Sequence, residues 1–238
     1  MMPSIRSNIF QIMDNIRESA LLSGRNAGAV KLMAVTKTVA PERIREAIAA
    51  GISLLGGNYV QETAEKKAAL EREGCHAEWH MIGRLQTNKA RQAVRLFSLI
   101  HSVDRLELAQ EIAKRSQALG GVARVLIEVN TGAEPTKSGV PLARAIELTT
   151  TLARLEHISI QGLMTIPPWF DDPEKARPYF IALRKLKEEI DCLKIPGVTM
   201  QELSMGMTDD YPIAIAEGAT IVRIGRGIFG ERQKQISR

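Results

Sequence analysis

Lys37 is the first residue whose position suggests chemistry. It ends Lys31-Leu32-Met33-Ala34-Val35-Thr36-Lys37, a run with no charge between its two lysines. A short apolar run of this kind reads as a strand buried on both faces. Pro41 and the helical pattern after it stop the strand near Lys37. In α/β sheets the edge where a strand gives way to a loop is where ligands bind. An amine held there is desolvated and more easily neutral, as Schiff-base chemistry requires. The other reading is a strand-end lysine reaching out to solvent.

Two further stretches suit an anion. Ser204-Met205-Gly206-Met207 ends an apolar run, and Thr208-Asp209-Asp210 leads into a helix. A hydroxyl, a glycine and a helix start offer free amides and a favourable dipole. Arg223-Ile224-Gly225-Arg226-Gly227 ends the last apolar run, with glycines that let a backbone come close to a ligand. An amine facing such a cradle fits a ligand with both a phosphate and an aldehyde, and pyridoxal phosphate is one. Arg223 alternates with Gly225, so both point to one side of their strand. A buried arginine needs an acceptor, and either a pyridine nitrogen or a buried carboxylate would serve. With the nitrogen as partner the ring stays unprotonated and is a poor electron sink, which suits storage or racemisation.

The elements that must position these residues alternate. Strands are expected at Leu32–Thr36, Leu54–Gly56, Trp79–Ile82, Leu99–Val103, Val125–Val129, Ile160–Met164, Glu202–Met205 and Ile221–Ile224. Helices are expected between them at Pro41–Ala50, Val60–Leu70, Asn88–Val94, Arg105–Leu119, Leu142–Leu155, Pro173–Ile190 and Tyr211–Glu217. Pro41 suits a first helical turn, Gly51 and Gly120 suit helix ends, and Asp104 suits an N-cap. Eight such units predict an α/β fold, a single-domain (β/α)8 barrel over residues 1–238, with a doubly wound open sheet as the runner-up. An extra amphipathic helix, Ile5 to Leu22, precedes the first strand and is expected to cap one end. The strand ends then place Asn58, Tyr59, His80, Gly83, His101, Ser102, Asn130, Thr131 and Thr165 at one rim. His80 and His101 read more readily as interior histidines bonded to a neighbour than as general bases. Lys137 reads as a solvated loop lysine, and Trp169-Phe170 as a packing lid near the mouth.

Composition narrows the classes. The chain has 238 residues and a formal net charge of +5, spread along its length. No basic block with interleaved aromatics favours nucleic acid, and no long apolar run suggests a membrane span. Two distant cysteines, Cys75 and Cys192, make neither a disulfide framework nor a zinc site. Cys75 lies in a polar turn and is expected to be exposed. The N-terminus lacks a signal-peptide pattern, so a cytoplasmic protein is expected.

Several motifs together resemble the pyridoxal phosphate homeostasis proteins. They are Ala34-Val35-Thr36-Lys37-Thr38, Asn58-Tyr59-Val60-Gln61-Glu62, Trp79-His80-Met81-Ile82-Gly83-Arg84, Ile100-His101-Ser102-Val103-Asp104, Lys137-Ser138-Gly139, Gly162-Leu163-Met164-Thr165, Glu202-Leu203-Ser204-Met205-Gly206-Met207, Val222-Arg223-Ile224-Gly225 and Ile228-Phe229-Gly230-Glu231-Arg232. The resemblance implies a barrel like the N-terminal domain of alanine racemase. It implies pyridoxal 5'-phosphate held as a Schiff base on Lys37, phosphate contacts at Ser204 and Gly225, and the ring nitrogen near Arg223. Asn58, His80, Met205 and Arg226 complete the implied cofactor site. It further implies a monomer without an established reaction, which supplies the cofactor to dependent apoenzymes. An amino-acid racemase is the alternative, but it needs a second acid–base group opposite the lysine, and the tyrosines are only Tyr59, Tyr179 and Tyr211. Two positions depart from the family pattern. Gly57 stands where relatives carry glutamate, and Arg226 where they carry a small hydroxyl residue. Arg226 is expected either to give the phosphate a charged contact or to swing out.

Overall fold

The computed structural model describes residues 4–231. Arg232, the end of the last motif above, lies outside the described residues. The apolar runs become eight parallel strands: β1 (Lys31–Val35), β2 (Leu54–Gly57), β3 (Glu78–Met81), β4 (Leu99–Val103), β5 (Ala123–Asn130), β6 (Ile158–Met164), β7 (Val198–Ser204) and β8 (Ile221–Ile224). Each pairs with the next, and β8 pairs with β1, so the sheet closes on itself. This is a (β/α)8 barrel, and the open-sheet alternative falls. A two-residue strand, Val140–Pro141, adds to the end of β5.

The helices are α1 (Ile5–Leu22), α2 (Pro41–Ala49), α3 (Val60–Arg72), α4 (Ala90–Leu96), α5 (Leu106–Gln117), α6 (Ala145–Leu152), α7 (Arg177–Cys192), α8 (Tyr211–Ala216) and α9 (Arg226–Phe229). Three expected helices begin instead as short 3₁₀ turns, at Thr87–Lys89, Leu142–Arg144 and Pro173–Ala176. In the last, Asp172 accepts from the Glu174 amide at 3.0 Å, which starts the turn early. Pro41 does open its helix, and Gly51 and Gly120 follow helix ends with left-handed φ of +104° and +66°. Asp104 does not cap α5. Its carboxylate pairs with Arg105 at 2.6 Å, and Arg105 takes the N-cap position without a side-chain cap.

α1 does not cap an end of the barrel. It lies between α8 and α2, in the slot of an eighth outer helix, because α9 after β8 has only four residues. Its buried face is Ile5, Ile9, Ile12, Ile16 and Ala20, and Ser4 caps it by accepting from the Ser7 amide at 3.1 Å. Asn8 and Asn15 tie it to the Ile228 carbonyl and the Tyr211 hydroxyl. Cys75 is half-buried against the outer core, not exposed, and both cysteines are free thiols. Among the described residues no helix is long and apolar enough to cross a membrane.

Two apolar cores result. The large one lies between strands and helices, with Phe180, Ile44, Leu55 and Ile112 fully buried. The small one sits inside the barrel: Met33, Leu54, Ile82, Leu99, Leu126, Met164 and Ile221. Those seven leave much of the interior to polar side chains.

Gly162 shows how tightly the strands close. Its φ is +152°, and a Cβ there would lie 1.9 Å from the Glu202 carbonyl oxygen on β7. The strand pairing shifts register at this point. Gly162→Ala should therefore cost about 3 kcal/mol or more, since both strain and a backbone clash must be relieved. Urea denaturation would read this as a lower midpoint, and an unchanged midpoint would show that β6 and β7 can part without penalty.

Candidate functional site

The C-terminal ends of β1, β2, β7 and β8 bring most of the expected residues to one mouth. Lys37 follows β1 and is half-buried rather than dry, with its Nζ 5.4 Å from the centre of the Tyr59 ring. The turn after it is unusual. Thr38 has a φ of +63°, a costly conformation for a β-branched residue. Two clamps from α3 hold it: the Thr38 amide donates to Glu62 Oε1 at 2.8 Å, and Lys66 Nζ donates to the Thr36 carbonyl at 2.6 Å. Lys66 also pairs with Glu62 at 2.5 Å. The Lys37 amine thus leaves a backbone fixed from behind.

Asn58 follows β2. Its Oδ1 is buried and has no hydrogen-bond partner among the described residues. A buried unpaired carbonyl is costly and marks a place where another group belongs. Gly225 ends β8 beside Val35. A Cβ there would make only ordinary contact, 3.5 Å from Val35 Cβ, and its φ of −109° suits any residue. Neither neighbours nor backbone require glycine, so its missing side chain leaves room at the mouth. Both observations fit a group seated between Asn58 and Gly225.

The loops after β7 and β8 are joined: the Gly227 amide donates to Thr208 Oγ1 at 3.3 Å. The sequence places Thr208 at the helix lead-in of this anion stretch, and its hydroxyl is what joins the two loops. Ser204 is different from expectation. It is fully buried, and its hydroxyl lies 2.7 Å from Arg223 Nη1 and 2.9 Å from His101 Nδ1. With its one hydrogen directed at His101 Nδ1, that hydroxyl has none left to donate to a phosphate. Met205 points its side chain into the outer core, so only its main chain borders the loop. Arg226 swings out: its guanidinium binds Asp209 at 2.7 Å and reaches Glu231 at 3.4 Å.

Arg223 is buried inside the barrel, and among the described residues no carboxylate bonds to it. It donates to the Ser204 and Thr165 carbonyls at 2.7 and 2.8 Å. Burial pushes its pKa down to about 10, against the pull of Asp210 and Glu128. It is therefore charged near neutral pH. Both nitrogens of His80 are taken, by Glu78 and by His101, which puts His80 deep in the barrel and not at the mouth. Burial lowers the pKa of His80 and, well below the ordinary value, that of His101.

Other rim residues are satisfied locally. Asn130 closes the loop to Glu134 through both amide atoms, and Thr165 donates to the Val129 carbonyl. Lys137 is not free in solvent. Its Nζ pairs with Glu134 at 2.6 Å and donates to the Pro167 carbonyl at 3.2 Å. Trp169 is 70 % exposed, while Phe170 stacks on Tyr179. Gly57 faces away from the mouth, toward α3. A Cβ there would lie 2.2 Å from Thr63 Oγ1. The departure at this position is thus a matter of packing beneath the helices.

Glu128 was not singled out from sequence, because it sits unremarkably inside an apolar strand. Burial first, then the charge of Asp104, push its pKa up to about 7, while Arg223 and Arg84 pull it down. Its folded pKa exceeds the ordinary value of 4.5. Stability is therefore fully present below that ordinary value and is lost as pH rises toward 7. The loss amounts to roughly 3 kcal/mol at about 1.4 kcal/mol per unit. Glu128→Gln should raise the urea midpoint more at about pH 8 than at about pH 5. An equal gain at both would show that Glu128 ionises freely in the folded chain.

Comparison with known proteins agrees with this geometry. The family model described as alanine racemase, N-terminal domain, matches residues 8–233. The pyridoxal phosphate homeostasis protein of Aquifex aeolicus is 45 % identical over 94 % of this chain and 96 % of its own length. A crystal structure of an unknown protein from Bifidobacterium adolescentis superposes with a TM-score of 0.88 at 38 % identity, covering 94 % of each chain. PipY of Synechococcus elongatus PCC7942, solved with PLP bound, superposes with a TM-score of 0.79 at 36 % identity, covering 90 % of this chain and 100 % of that one. The Aquifex relative is named for cofactor homeostasis and not for a reaction. With a barrel of this closure, and matches over nearly its whole length, the chain belongs to the alanine racemase N-terminal domain family and, within it, to the pyridoxal phosphate homeostasis proteins.

Proposed function

We propose that this chain binds pyridoxal 5'-phosphate at the barrel mouth, as a Schiff base on Lys37, and takes part in intracellular supply of that cofactor. The observation that carries this reading is the likeness to PipY with PLP bound, at 36 % identity over 90 % of this chain. The orphaned Asn58 Oδ1 and the open space at Gly225 support it. Bound, the cofactor supplies an electrophilic aldehyde and a ring that can accept electrons.

Each residue then has a part. Lys37 Nζ condenses with the aldehyde and releases water. Thr208 and the main chain at Gly225–Gly227 form the phosphate side. Arg223 would be the donor on the side of the ring nitrogen, and Asn58 would border the ring. Ser204 and His80 act from beneath through hydrogen bonds, and Met205 through its backbone. Arg226 leaves only its amide to the phosphate. The proposed setting is cytoplasmic, the proposed state a monomer, and the proposed recipients are dependent apoenzymes.

Racemisation would need an acid–base group facing Lys37 from the opposite wall. Tyr59 stands beside Lys37, Tyr179 stacks on Phe170, and the Tyr211 hydroxyl accepts from Asn15. None of the three takes that place, so carriage is the better reading.

The visible spectrum tests the assignment. Protein mixed with pyridoxal phosphate should show a visible band that borohydride removes, and peptide mapping should find the label on Lys37. Lys37→Ala should lose the band while its circular dichroism stays that of the parent. A label on Lys137, or a band that survives Lys37→Ala, would overturn the assignment.

A further inference from the structure

A line of hydrogen bonds runs through the barrel from one rim toward the other. Glu78 opens β3 at the end away from the mouth, and its side chain is 49 % exposed. Its Oε1 lies 3.0 Å from His80 Nε2 and 2.7 Å from Ser98 Oγ. His80 Nδ1 lies 2.9 Å from His101 Nε2. His101 Nδ1 lies 2.9 Å from Ser204 Oγ, which lies 2.7 Å from Arg223 Nη1. Between Glu78 and Arg223 every member is buried.

With both imidazoles neutral, as their burial favours, the exposed carboxylate fixes the direction of every bond. A guanidinium can only donate, and an ionised carboxylate can only accept. Arg223 therefore donates to Ser204, whose hydroxyl donates to His101 Nδ1. His101 donates from Nε2 to His80 Nδ1, and His80 donates from Nε2 to Glu78. Each ring then carries its single proton on Nε2. Burial holds both rings below their ordinary pKa, which agrees. At Glu78 burial works upward, but the bonds from His80 and Ser98 prevail and keep the carboxyl low. The other charges that face the line are Lys31 on β1, Arg124 and Glu128 on β5, and Glu202 on β7. Lys31 and Glu202 neutralise each other at 2.6 Å.

Packing alone does not ask for this. Barrel interiors are ordinarily filled by branched apolar side chains. An apolar residue at His80 or His101 would extend the small inner core, with no polar atoms to satisfy. A fully satisfied polar line rigidifies its members and specifies one arrangement.

We propose that Glu78, His80 and His101 are positioning residues for Arg223. By orienting the Ser204 hydroxyl as an acceptor, they set the direction in which the guanidinium meets the ring of the bound cofactor. The proposal rests on the reading of Arg223 as the ring partner, and it reaches to a carboxylate on the opposite rim of the barrel.

Two measurements separate the proposal from that reading. The first uses the protein without cofactor: histidine side-chain ¹⁵N spectra should show both rings neutral and protonated at Nε2. Glu78→Leu removes the exposed acceptor with little risk to folding, and it should change the shifts of both rings. A proton on Nδ1 of either ring, or His101 shifts unmoved by Glu78→Leu, overturns the proposal whatever binds at the mouth. The second uses protein loaded with pyridoxal phosphate. His101→Gln can still accept from Ser204 and donate to His80, so its visible band should titrate with pH as in the parent. His101→Leu and Glu78→Leu should displace that titration midpoint and weaken retention about ten-fold, the scale of one charged hydrogen bond. Equal midpoints in parent, His101→Gln and Glu78→Leu overturn the proposal. If no band forms at all, the cofactor reading fails, and the ¹⁵N result alone decides whether the line sets the arginine.

Discussion

A positive charge inside the barrel is the constraint on which the rest depends. Arg223 is buried where water cannot reach it, and a buried charge without partners is very costly. Its nearest acceptors are neutral: the Ser204 and Thr165 carbonyls and the Ser204 hydroxyl. Neutral partners hold a guanidinium without cancelling its charge. Glu128 and Asp210 feel that charge, but neither bonds to it. The interior thus keeps a net positive spot just below the mouth. Burial is the first reason that His101 stays neutral, and the Arg223 charge adds to it, since a second cation beside it would be repelled. It also explains why the inner apolar core is small: the strands that surround an arginine must supply polar atoms to it.

How much of this was legible follows from what each residue says locally. Strand positions were readable because buried parallel strands are apolar runs, and the runs from Leu99 to Val103 and from Ile221 to Ile224 have the observed bounds. Helix α1 was readable from its period, yet its place was not. Nothing within Ile5–Leu22 reveals that the helix after β8 is one turn long and leaves a slot to fill. Asp104 had the right spacing for a cap, but Arg105 beside it offers a stronger bond.

The site was legible in part for the same reason. Lys37, Asn58 and Gly225 announce themselves at strand ends, where the chain changes character. Glu78 does not, because a carboxylate at an exposed strand start is unremarkable. Its meaning comes only from His80, two residues on, and from His101 on the neighbouring strand. Ser204 lies deeper than its place in the sequence suggests. Its sequence position suits a phosphate contact, while its depth commits the hydroxyl to Arg223 and His101. Depth along a strand is a three-dimensional quantity, set by the shear of the barrel.

The two walls of the mouth differ in a way that bears on carriage. The wall of β6, β7 and β8 is saturated with buried hydrogen bonds of Thr165, Ser204 and Arg223. The wall of β1 and β2 is open: Lys37 is half-buried, Tyr59 is 56 % exposed, and Asn58 keeps an unpaired oxygen. Rigidity on the first wall fixes where a ring and phosphate would lie. Openness on the second lets water reach the amine. A Schiff base is made by losing water and undone by regaining it, so an amine near solvent holds an aldehyde reversibly. An enzyme gains by excluding water from such a bond, whereas a protein that must give its ligand up gains by admitting it. Under the proposed function, the half-open lysine wall would serve supply and the closed arginine wall recognition.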